Sequence, residues 1–371
     1  MFKNIGWTLG NDCPCNYNHC YSKNVREKGM SLNKDIVNRV IGQVKAIGAE
    51  TINLGGNEPL FTNGLDPSKS LLPYIIDLSI ESGLTIGITS AGPTIIGLEE
   101  LYNEQFKKIN DIDISIDSPY EHEHNANRGA NIFNMAIKSL EICNKYNIPH
   151  TIVMCAMKWN FTIDRIQKLT LLAKKYNANI RINMLKPTEK KHLELMPSKD
   201  QIKEGYNWLI NNCYTINISD PILSASYSNN NTDGCYCGIN SLRINSITPD
   251  GKISISPCVY MHHHKVGNLL EDDLIDIVKS KQFHDFIYRK EHYKEIDGCQ
   301  NCDKLMYCKG GCAASAYWYN FYKNDKDTML GKDPYCIYGE NEEKSKIKVK
   351  SIHECNLVHE NYLCTWIGKT K

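Results

Sequence analysis

Apolar residues in the first half of the chain fall into short runs that alternate with amphipathic stretches. Six of these runs predict β-strands: IGWTLG, TINLGG, TIGITSAG, DIDISID, HTIVMCAMKWN and NIRINMLKP. Stretches such as DIVNRVIGQVKAIG and IDRIQKLTLLAKKYN repeat apolar residues three or four positions apart, which is typical of helices. Strand followed by helix, repeated six times, predicts parallel strands joined by crossover helices.

The pattern does not distinguish an open sheet from a barrel, but ligands bind at the C-terminal ends of the strands in both. Two loops at this edge contain side chains that could bind a metal or a ligand. The loop NDCPCNYNHCYS follows the first strand and holds Cys13, Cys15 and Cys20. The loop GGNEP follows the second strand, where adjacent glycines admit a ligand close to the backbone and Glu58 accepts a cation or amine.

The pattern changes after Cys213. The stretch SDPILSASYSNNNTDG is polar and predicts a turn-rich bridge, and ENEEKSKIKVKS predicts a solvated connection. Between them the predicted strands are short and the cysteines dense, so metal sites are expected to stabilise a small core. The predicted units are an α/β domain over 1–215, a bridge over 216–234, a Cys-rich domain over 235–345 and a tail over 346–371.

Composition excludes several classes of protein. The net charge of +1, with acids and bases interspersed, predicts no nucleic-acid surface, and no apolar run is long enough to span a membrane. The N-terminus lacks a secretory signal, so we predict a soluble cytoplasmic protein. Sixteen cysteines change this picture, because the cytoplasm keeps thiols reduced and metal binding or catalysis then explains them better than disulfides.

Eight of the cysteines lie between positions 235 and 336. The block CQNCDKLMYCKGGC gives the spacing C-x2-C-x5-C-x3-C, with CYCG and SPC before it and DPYC after it. Eight thiolates suffice for two four-ligand sites. Spacing alone leaves zinc and iron–sulfur clusters as equal alternatives.

These motifs resemble those of a known family over nearly the whole chain. The first half is similar to radical S-adenosylmethionine (SAM) enzymes and the second half to their SPASM extension, whose order of cysteines and Gly251 is kept. Six residues separate Gly251 from Cys258 where the family usually has four, which implies a longer hairpin arm. The resemblance implies a partial (β/α)6 TIM-like barrel with a small Cys-rich iron–sulfur domain.

The resemblance also implies the cofactors, which are SAM, one [4Fe–4S] cluster that binds it and two auxiliary [4Fe–4S] clusters. The family's first loop normally has the spacing C-x3-C-x2-C. Here Tyr17 occupies the second place and the thiol has moved to Cys15. Cys13, Cys15 and Cys20 are therefore the expected ligands of the SAM cluster, whose fourth iron stays open for SAM.

The auxiliary clusters are expected to divide the remaining thiols. By resemblance, the outer cluster takes Cys299, Cys302, Cys308 and Cys336, and the inner cluster takes Cys237, Cys258 and Cys312. We predict Cys235 as the fourth inner ligand. The alternative is an open iron that binds a substrate thiol.

Further positions match the family's SAM-binding residues one by one. His19 stands where the family has an aromatic residue near adenine, GGNEP resembles the motif that holds the SAM amino group, and Leu185 resembles a sixth-strand residue beside adenine. Ser90 resembles a residue facing methionine, and Ser115 with Arg128 resembles the pair near the ribose and carboxylate. The expected SAM-binding residues are thus His19, Gly55, Gly56, Glu58, Pro59, Ser90, Ser115, Arg128 and Leu185.

Other reactive side chains have simpler explanations. Cys143, Cys155 and Cys213 lie in apolar patterns and are predicted to be core residues, while Cys355 and Cys364 fit no motif. The histidines at 262–264 are predicted to be solvated, and EHEH at 121–124 is predicted to form a loop.

The resemblance implies an enzyme that cleaves SAM reductively to a 5′-deoxyadenosyl radical, which removes a hydrogen atom from its substrate. Most family members of this kind modify ribosomally made peptides or proteins by crosslinking, thioether formation or residue oxidation, and the resemblance implies an external one-electron reductant. The barrel pattern begins almost at Met1, which predicts no helical leader-binding domain before it. One alternative is sulfatase-maturation-type oxidation of Ser or Cys in a protein, although Val259 replaces the Asp that those enzymes tend to carry after Cys258. The other is a non-catalytic zinc-binding adaptor.

Overall fold

The computed structural model describes residues 2–10, 12–23, 31–227, 232–338 and 357–370. Within these ranges one mixed sheet has the strand order β7-β10-β6-β5-β4-β3-β2-β1-β8-β9. Its strands are β1 Asn4–Trp7, β2 Thr51–Leu54, β3 Thr85–Ser90, β4 Asp111–Ser115, β5 His150–Ala156, β6 Asn179–Met184, β7 Cys213–Ile218, β8 Ser241–Ile244, β9 Ile255–Ser256 and β10 Thr365–Thr370.

The helices of the described ranges lie mostly between successive strands. They are α1 Lys34–Ala46, α2 Leu72–Glu81, α3 Pro93–Leu101, α4 Asn103–Phe106, α5 Glu121–Arg128, α6 Phe133–Tyr146, α7 Ile163–Lys175, α8 Lys199–Asn212, α9 Pro221–Tyr227, α10 Leu274–Lys279, α11 Lys281–His284, α12 Tyr288–Glu291, α13 Leu305–Cys308 and α14 Ala313–Asn324. Short 3-10 turns lie at Pro67–Lys69, Lys190–Leu195, Asp285–Ile287, Tyr293–Glu295 and Val358–Asn361. None of these helices is long and apolar enough to cross a membrane.

The six predicted strands are confirmed as β1 to β6, and each pairs in parallel with the next. Helix α1 illustrates how the sequence builds this barrel. The Asn33 side chain accepts the backbone N–H of Ile36 at 2.9 Å and so caps the helix. Its buried residues repeat every three or four positions, which places them on one face against the strands: Val37, Val40, Ile41 and Val44.

The Cys-rich half joins the barrel through β8, which pairs in parallel with β1 and carries β9 at its outer edge. This pairing places the second half of the chain beside the first strand. Because Ser241 of β8 lies beside Asn4 of β1, Cys237 before β8 lies at the opposite end of this strand pair from the thiols that follow β1.

The C-terminal segment enters the barrel, which the sequence did not indicate. Strand β10 lies antiparallel between β6 and β7. The buried His359 precedes it, with Nδ1 2.5 Å from Asp111 Oδ2 and Nε2 3.0 Å from Asn53 Oδ1. The Val358 N–H donates to the other Asp111 oxygen at 2.7 Å. The tail thus satisfies carboxylate and amide groups that β2 and β4 direct into the barrel.

We expect His359→Ala to lower the free energy of unfolding by about 3 kcal/mol, because it leaves a buried carboxylate without its ring partner. Anaerobic urea denaturation measures this change. His122→Ala, at an exposed histidine of α5, is the matched control and should change stability little. Equal effects of the two substitutions would contradict the inferred role of the tail.

Two local predictions are wrong. EHEH forms the first half of α5, because Glu121 and Glu123 in the first turn favour a helix start and Gly129 ends the helix in a left-handed conformation with φ 61°. The predicted turn-rich bridge contains the buried helix α9, whose apolar residues pack on the Cys-rich half. The domain boundaries given above stay a prediction.

The structure confirms the predictions for some of the remaining cysteines and histidines and corrects others. Cys143 and Cys213 are buried in the core as predicted. Cys155 is half-buried and lines the cavity described below, so its core prediction is wrong. His263 is exposed, but its ring stacks on Tyr317 rather than standing free in solvent. Cys355 and the ENEEKSKIKVKS stretch lie outside the described residues.

Candidate functional site

A cavity of about 270 Å³ lies inside the barrel, between the loop that follows β1 and the Cys-rich half. Most of the predicted site residues line it: Cys13, Cys15, His19, Gly56, Glu58, Ser90, Ser115, Arg128, Leu185, Cys235, Cys237, Cys258 and Cys312. Of the other residues predicted for SAM and its cluster, Gly55, Pro59 and Cys20 do not line it. Residues from both halves of the chain are therefore brought to one enclosed space.

The opening loop presents two thiols to this cavity. Cys13 and Cys15 pack with Ala91 and Ile132 in a small apolar cluster. Cys20 is buried, with its Sγ 3.4 Å from the Ser22 hydroxyl. That hydroxyl donates to the Gly56 carbonyl at 2.6 Å, so the third thiol is tied to the GGNEP loop.

Tyr17 occupies the place of the displaced thiol and is held by its neighbours. The Arg128 guanidinium lies 4.5 Å above its ring, and the His19 ring lies 4.7 Å away. Burial raises the pKa of the Tyr17 hydroxyl well above its ordinary value. These contacts assign Tyr17 a packing role between two of the predicted SAM-binding side chains.

Glu58 is fixed by hydrogen bonds from the end of β3 and the start of α3. The Ser90 hydroxyl donates to Oε2 at 2.7 Å, and the Ala91 N–H donates to Oε1 at 2.5 Å. The Thr94 hydroxyl and N–H also donate to Oε2, at 2.8 and 3.2 Å. Burial, followed by the nearby Cys13, raises the pKa of Glu58 to about 7 despite these bonds. The carboxylate is thus held rigidly in the wall beside the opening loop.

Asp117 is a buried carboxylate at the centre of the site that the sequence did not single out. Its Oδ2 lies 2.7 Å from Arg128 Nε and 3.5 Å from His19 Nε2, and accepts Asn127 Nδ2 at 2.9 Å. The Cys155 N–H donates to Oδ1 at 3.1 Å. Burial alone would raise the pKa of Asp117, but Arg128 and His19 outweigh it and the pKa is lowered. Asp117 therefore orients two predicted SAM-binding side chains.

The eight thiols of the second half form two groups. The predicted inner set, Cys235, Cys237, Cys258 and Cys312, lines the main cavity. The predicted outer set, Cys299, Cys302, Cys308 and Cys336, surrounds a separate small cavity beside α9. This division is the one that the resemblance implied, and ligation itself stays a prediction.

Cys235 differs from its inner neighbours. Its hydrogen bond with Cys237 lowers the pKa of Cys235 to about 6 although burial opposes the shift. For Cys237, the hydrogen bonds with Cys235 and Cys258 raise the pKa. The three thiols are therefore close enough to act on one another.

A second ionic group missed by the sequence analysis lies next to the inner thiols. The Lys186 ammonium lies 4.0 Å from Asp220 Oδ2 and lines the cavity. Asp333 Oδ2 accepts the Cys312 N–H at 2.9 Å, and burial raises the pKa of Asp333 to about 6. Lys186 directly follows Leu185 in the NMLKP motif, and this position was the sequence feature that could have indicated its place in the site.

The thiol groups fit iron–sulfur clusters in their chemistry. Cysteine thiolates are the usual ligands of such clusters. The hydrogen bond with Cys13, burial and Glu58 together raise the pKa of Cys15 far above its ordinary value, so a thiolate here needs a positive charge beside it, which iron supplies. Among the described residues, no group of at least three His, Cys, Asp or Glu side chains is arranged to hold a single metal ion.

Comparison with family models gives the same division of the chain. Residues 8–171 match the radical SAM superfamily, and residues 235–303 match the SPASM iron–sulfur cluster-binding domain. Together the two ranges make up more than half of the chain. The matches favour iron–sulfur clusters over zinc as the explanation of the cysteine spacing.

Relatives that match most of the chain are similar at low identity. The mycofactocin maturase MftC of Mycolicibacterium smegmatis is 22% identical over 358 residues, covering 93% of this chain and 86% of that protein. The same maturase of Mycobacterium tuberculosis is 21% identical, covering 91% and 83%.

Solved structures share the fold. The structure titled native anSMEcpe with bound AdoMet has a TM-score of 0.65 at 16% identity and covers 90% of this chain and 93% of that one. Streptococcus suis SuiB has a TM-score of 0.63 at 14% identity and covers 90% and 77%. The predicted partial barrel with its Cys-rich domain is thereby confirmed. The chain belongs to the radical SAM superfamily and carries a SPASM iron–sulfur cluster-binding domain.

Proposed function

We propose that this protein modifies a ribosomally made peptide by radical chemistry started from SAM in the cavity. The observation that carries the proposal is that thiols of the opening loop, thiols of the SPASM domain and most of the expected SAM-binding residues line one cavity. When bound, the reduced cluster and SAM supply a 5′-deoxyadenosyl radical, which takes a hydrogen atom from an unactivated carbon.

The chain's own residues bind, orient and exclude water. Cys13, Cys15 and Cys20 hold the SAM cluster, Glu58 takes the SAM amino group, and Arg128 takes its carboxylate side. Apolar and aromatic side chains form much of the remaining wall and keep water from a reactive radical: Tyr21, Val153, Met184, Leu185, Leu242 and Tyr260.

The peptide substrate is supported by the relatives. Both mycobacterial proteins are named maturases, and one anSMEcpe structure is titled with AdoMet and the Cp18Cys peptide. The product is a crosslink, a thioether or an oxidised residue. Sulfatase-type oxidation is less favoured, because Val259 lines the cavity at the position after Cys258 where those enzymes tend to carry an Asp.

We infer that the reaction takes place in the cytoplasm with an external one-electron reductant. Sixteen cysteines are suited to a reducing compartment, and cluster reduction requires an electron that SAM does not provide.

The experiment uses anaerobically reconstituted enzyme, reductant, SAM and short peptides encoded beside the gene, each labelled uniformly with deuterium. The proposal predicts that one peptide transfers deuterium to 5′-deoxyadenosine and changes mass by a crosslink, thioether or oxidation. The variant with Cys13, Cys15 and Cys20 all changed to Ala is the control and should give neither product. Peptide modification without deuterium transfer would contradict the proposal.

Glu58→Ala is expected to weaken SAM binding by roughly 10- to 100-fold, because a charge-assisted hydrogen bond contributes about 1.5–3 kcal/mol. Iron content should stay unchanged. Thr94→Val is the matched control, since it removes one hydrogen bond to Glu58 and keeps the carboxylate. Equilibrium dialysis with labelled SAM measures both variants, and an unchanged affinity in Glu58→Ala would remove Glu58 from the SAM site.

A further inference from the structure

Arg243 is a buried arginine of β8 that lines the cavity without an anionic partner. Its Nε and Nη2 donate to the Thr8 hydroxyl at 2.8 and 2.6 Å, and Nη2 also donates to the Gly55 carbonyl at 2.5 Å. Nη1 makes no hydrogen bond with any residue of the described ranges, nor does any carboxylate there form an ion pair with this guanidinium. The positive charge is thus 95% buried but not neutralised by the described protein.

The other arginines of the cavity wall are neutralised. Arg128 pairs with Asp117, and Arg181 pairs with Asp113. Burying a charge is unfavourable unless it is paired, so a cavity arginine without an anion indicates a missing ligand.

A buried arginine outside the main cavity shows what a purely structural role looks like. Arg289 donates to three backbone carbonyls and uses both terminal nitrogens, with Nη1 bound to Met329 and Gly331 and Nη2 bound to Gly310. Arg243 binds a single carbonyl and leaves Nη1 directed at no described acceptor.

Two glycines make room for the Arg243 guanidinium. Gly6 pairs with Arg243 in the sheet, and a Cβ at Gly6 would lie 2.6 Å from Nη1. A Cβ at Gly56 would overlap Nη2. Glycine inside a strand weakens it and marks a close approach of another group, which here is the guanidinium. The backbone of β1 and of the GGNEP loop is therefore shaped around this side chain.

Two polar neighbours of Arg243, Thr8 and Tyr362, are uncharged. Thr8 supplies a hydroxyl, and Tyr362 from the tail has its hydroxyl hydrogen-bonded to Asn53 Nδ2 at 2.7 Å. Burial raises the pKa of Tyr362 while Arg243 opposes that shift, so the phenol is neutral and does not balance the guanidinium.

We propose that Arg243 binds a carboxylate inside the cavity through Nη1. The inference deepens the proposed function and rests on it, because the carboxylate has two sources there. One is the methionine carboxylate of SAM, and the other is a carboxylate of the peptide substrate, at its C-terminus or on an acidic side chain. A planar guanidinium matches a planar carboxylate, which lysine does not.

The test has two arms, both run anaerobically by equilibrium dialysis on the iron-loaded protein. The first compares the affinities of SAM and decarboxylated SAM. The second compares N-acetylalanine with N-acetylalaninamide, with and without saturating SAM, because this pair differs in the carboxylate of a peptide end. Wild type should prefer the carboxylate form by about tenfold or more in one arm, and Arg243→Gln should lower that preference about tenfold, even if Arg128 retains part of it in the first arm.

The variants separate recognition from stability. Arg39→Gln removes an arginine that bridges α1 to Asp273 on the surface, and should keep the wild-type preference. If Arg243→Gln does not fold, Arg243→Met removes the guanidinium from a side chain of similar length and should show the same loss. A loss in the first arm assigns SAM as the source, and a loss in the second assigns the peptide.

Unchanged preferences in both arms would overturn the proposal and leave Arg243 as a brace for Gly55. Neither arm requires turnover. If the wild-type protein binds no SAM, the proposed function is contradicted. The second arm, run without SAM, still tests whether Arg243 binds a carboxylate.

Discussion

Cys15→Ala is expected to abolish 5′-deoxyadenosine formation and to lower iron from about twelve to about eight atoms per chain. Cys13 and Cys15 face the cavity from one small apolar cluster, and Cys20 supplies the third thiol behind them. Removal of one ligand leaves two thiols for a cluster that already keeps one iron open for SAM. The loss should exceed the roughly 10- to 100-fold effect of removing a residue that only supports a metal ligand.

Two controls make this prediction specific. Tyr17→Phe keeps the ring between Arg128 and His19 and should retain wild-type activity. Cys143→Ala removes a buried thiol of α6 in the core and should retain all of the iron. Activity that survives in Cys15→Ala but disappears in Tyr17→Phe would show that the assignment of the displaced thiol is wrong.

Cys235→Ala is expected to remove the inner auxiliary cluster, so that iron falls by about four atoms per chain while SAM cleavage remains. Cys235, Cys237, Cys258 and Cys312 line the cavity together, and the first two act on each other directly. With four thiolates the cluster is closed and passes electrons. With three it has an open iron that acts as a Lewis acid.

Spectroscopy of the reduced protein decides between these two states. Full ligation predicts that the inner-cluster signal is lost or altered in Cys235→Ala, with Cys143→Ala as the matched control. An unaltered inner-cluster signal in Cys235→Ala would make Cys235 a bystander and support the alternative in which an open iron binds a substrate thiol.

The barrel could be predicted because its evidence is local. Each parallel strand is a short apolar run and each helix repeats its apolar residues within two turns, so β1 to β6 follow from the pattern. Strand β10 could not be predicted in this way. Its position depends on pairing with β6 and β7, which lie about 150 or more residues earlier, and on His359 meeting Asp111 inside the barrel.

Some residues of the candidate site could likewise be predicted from the sequence and others could not. The cysteines and the GGNEP loop were found because their spacing is compact and specific. Asp117 was overlooked because its role comes from Arg128 and His19, which reach it from different elements. No sequence pattern indicated Arg243, because it comes to lie beside Gly6 and Gly55 only when β8 pairs with β1.

The most direct measurement incubates the anaerobically reconstituted, reduced wild-type protein with SAM and quantifies 5′-deoxyadenosine and methionine by chromatography. The account predicts that both form in equal amounts, that neither forms without reductant, and that the protein carries about twelve irons per chain. A protein that holds zinc in place of iron and leaves SAM intact under these conditions would contradict the account.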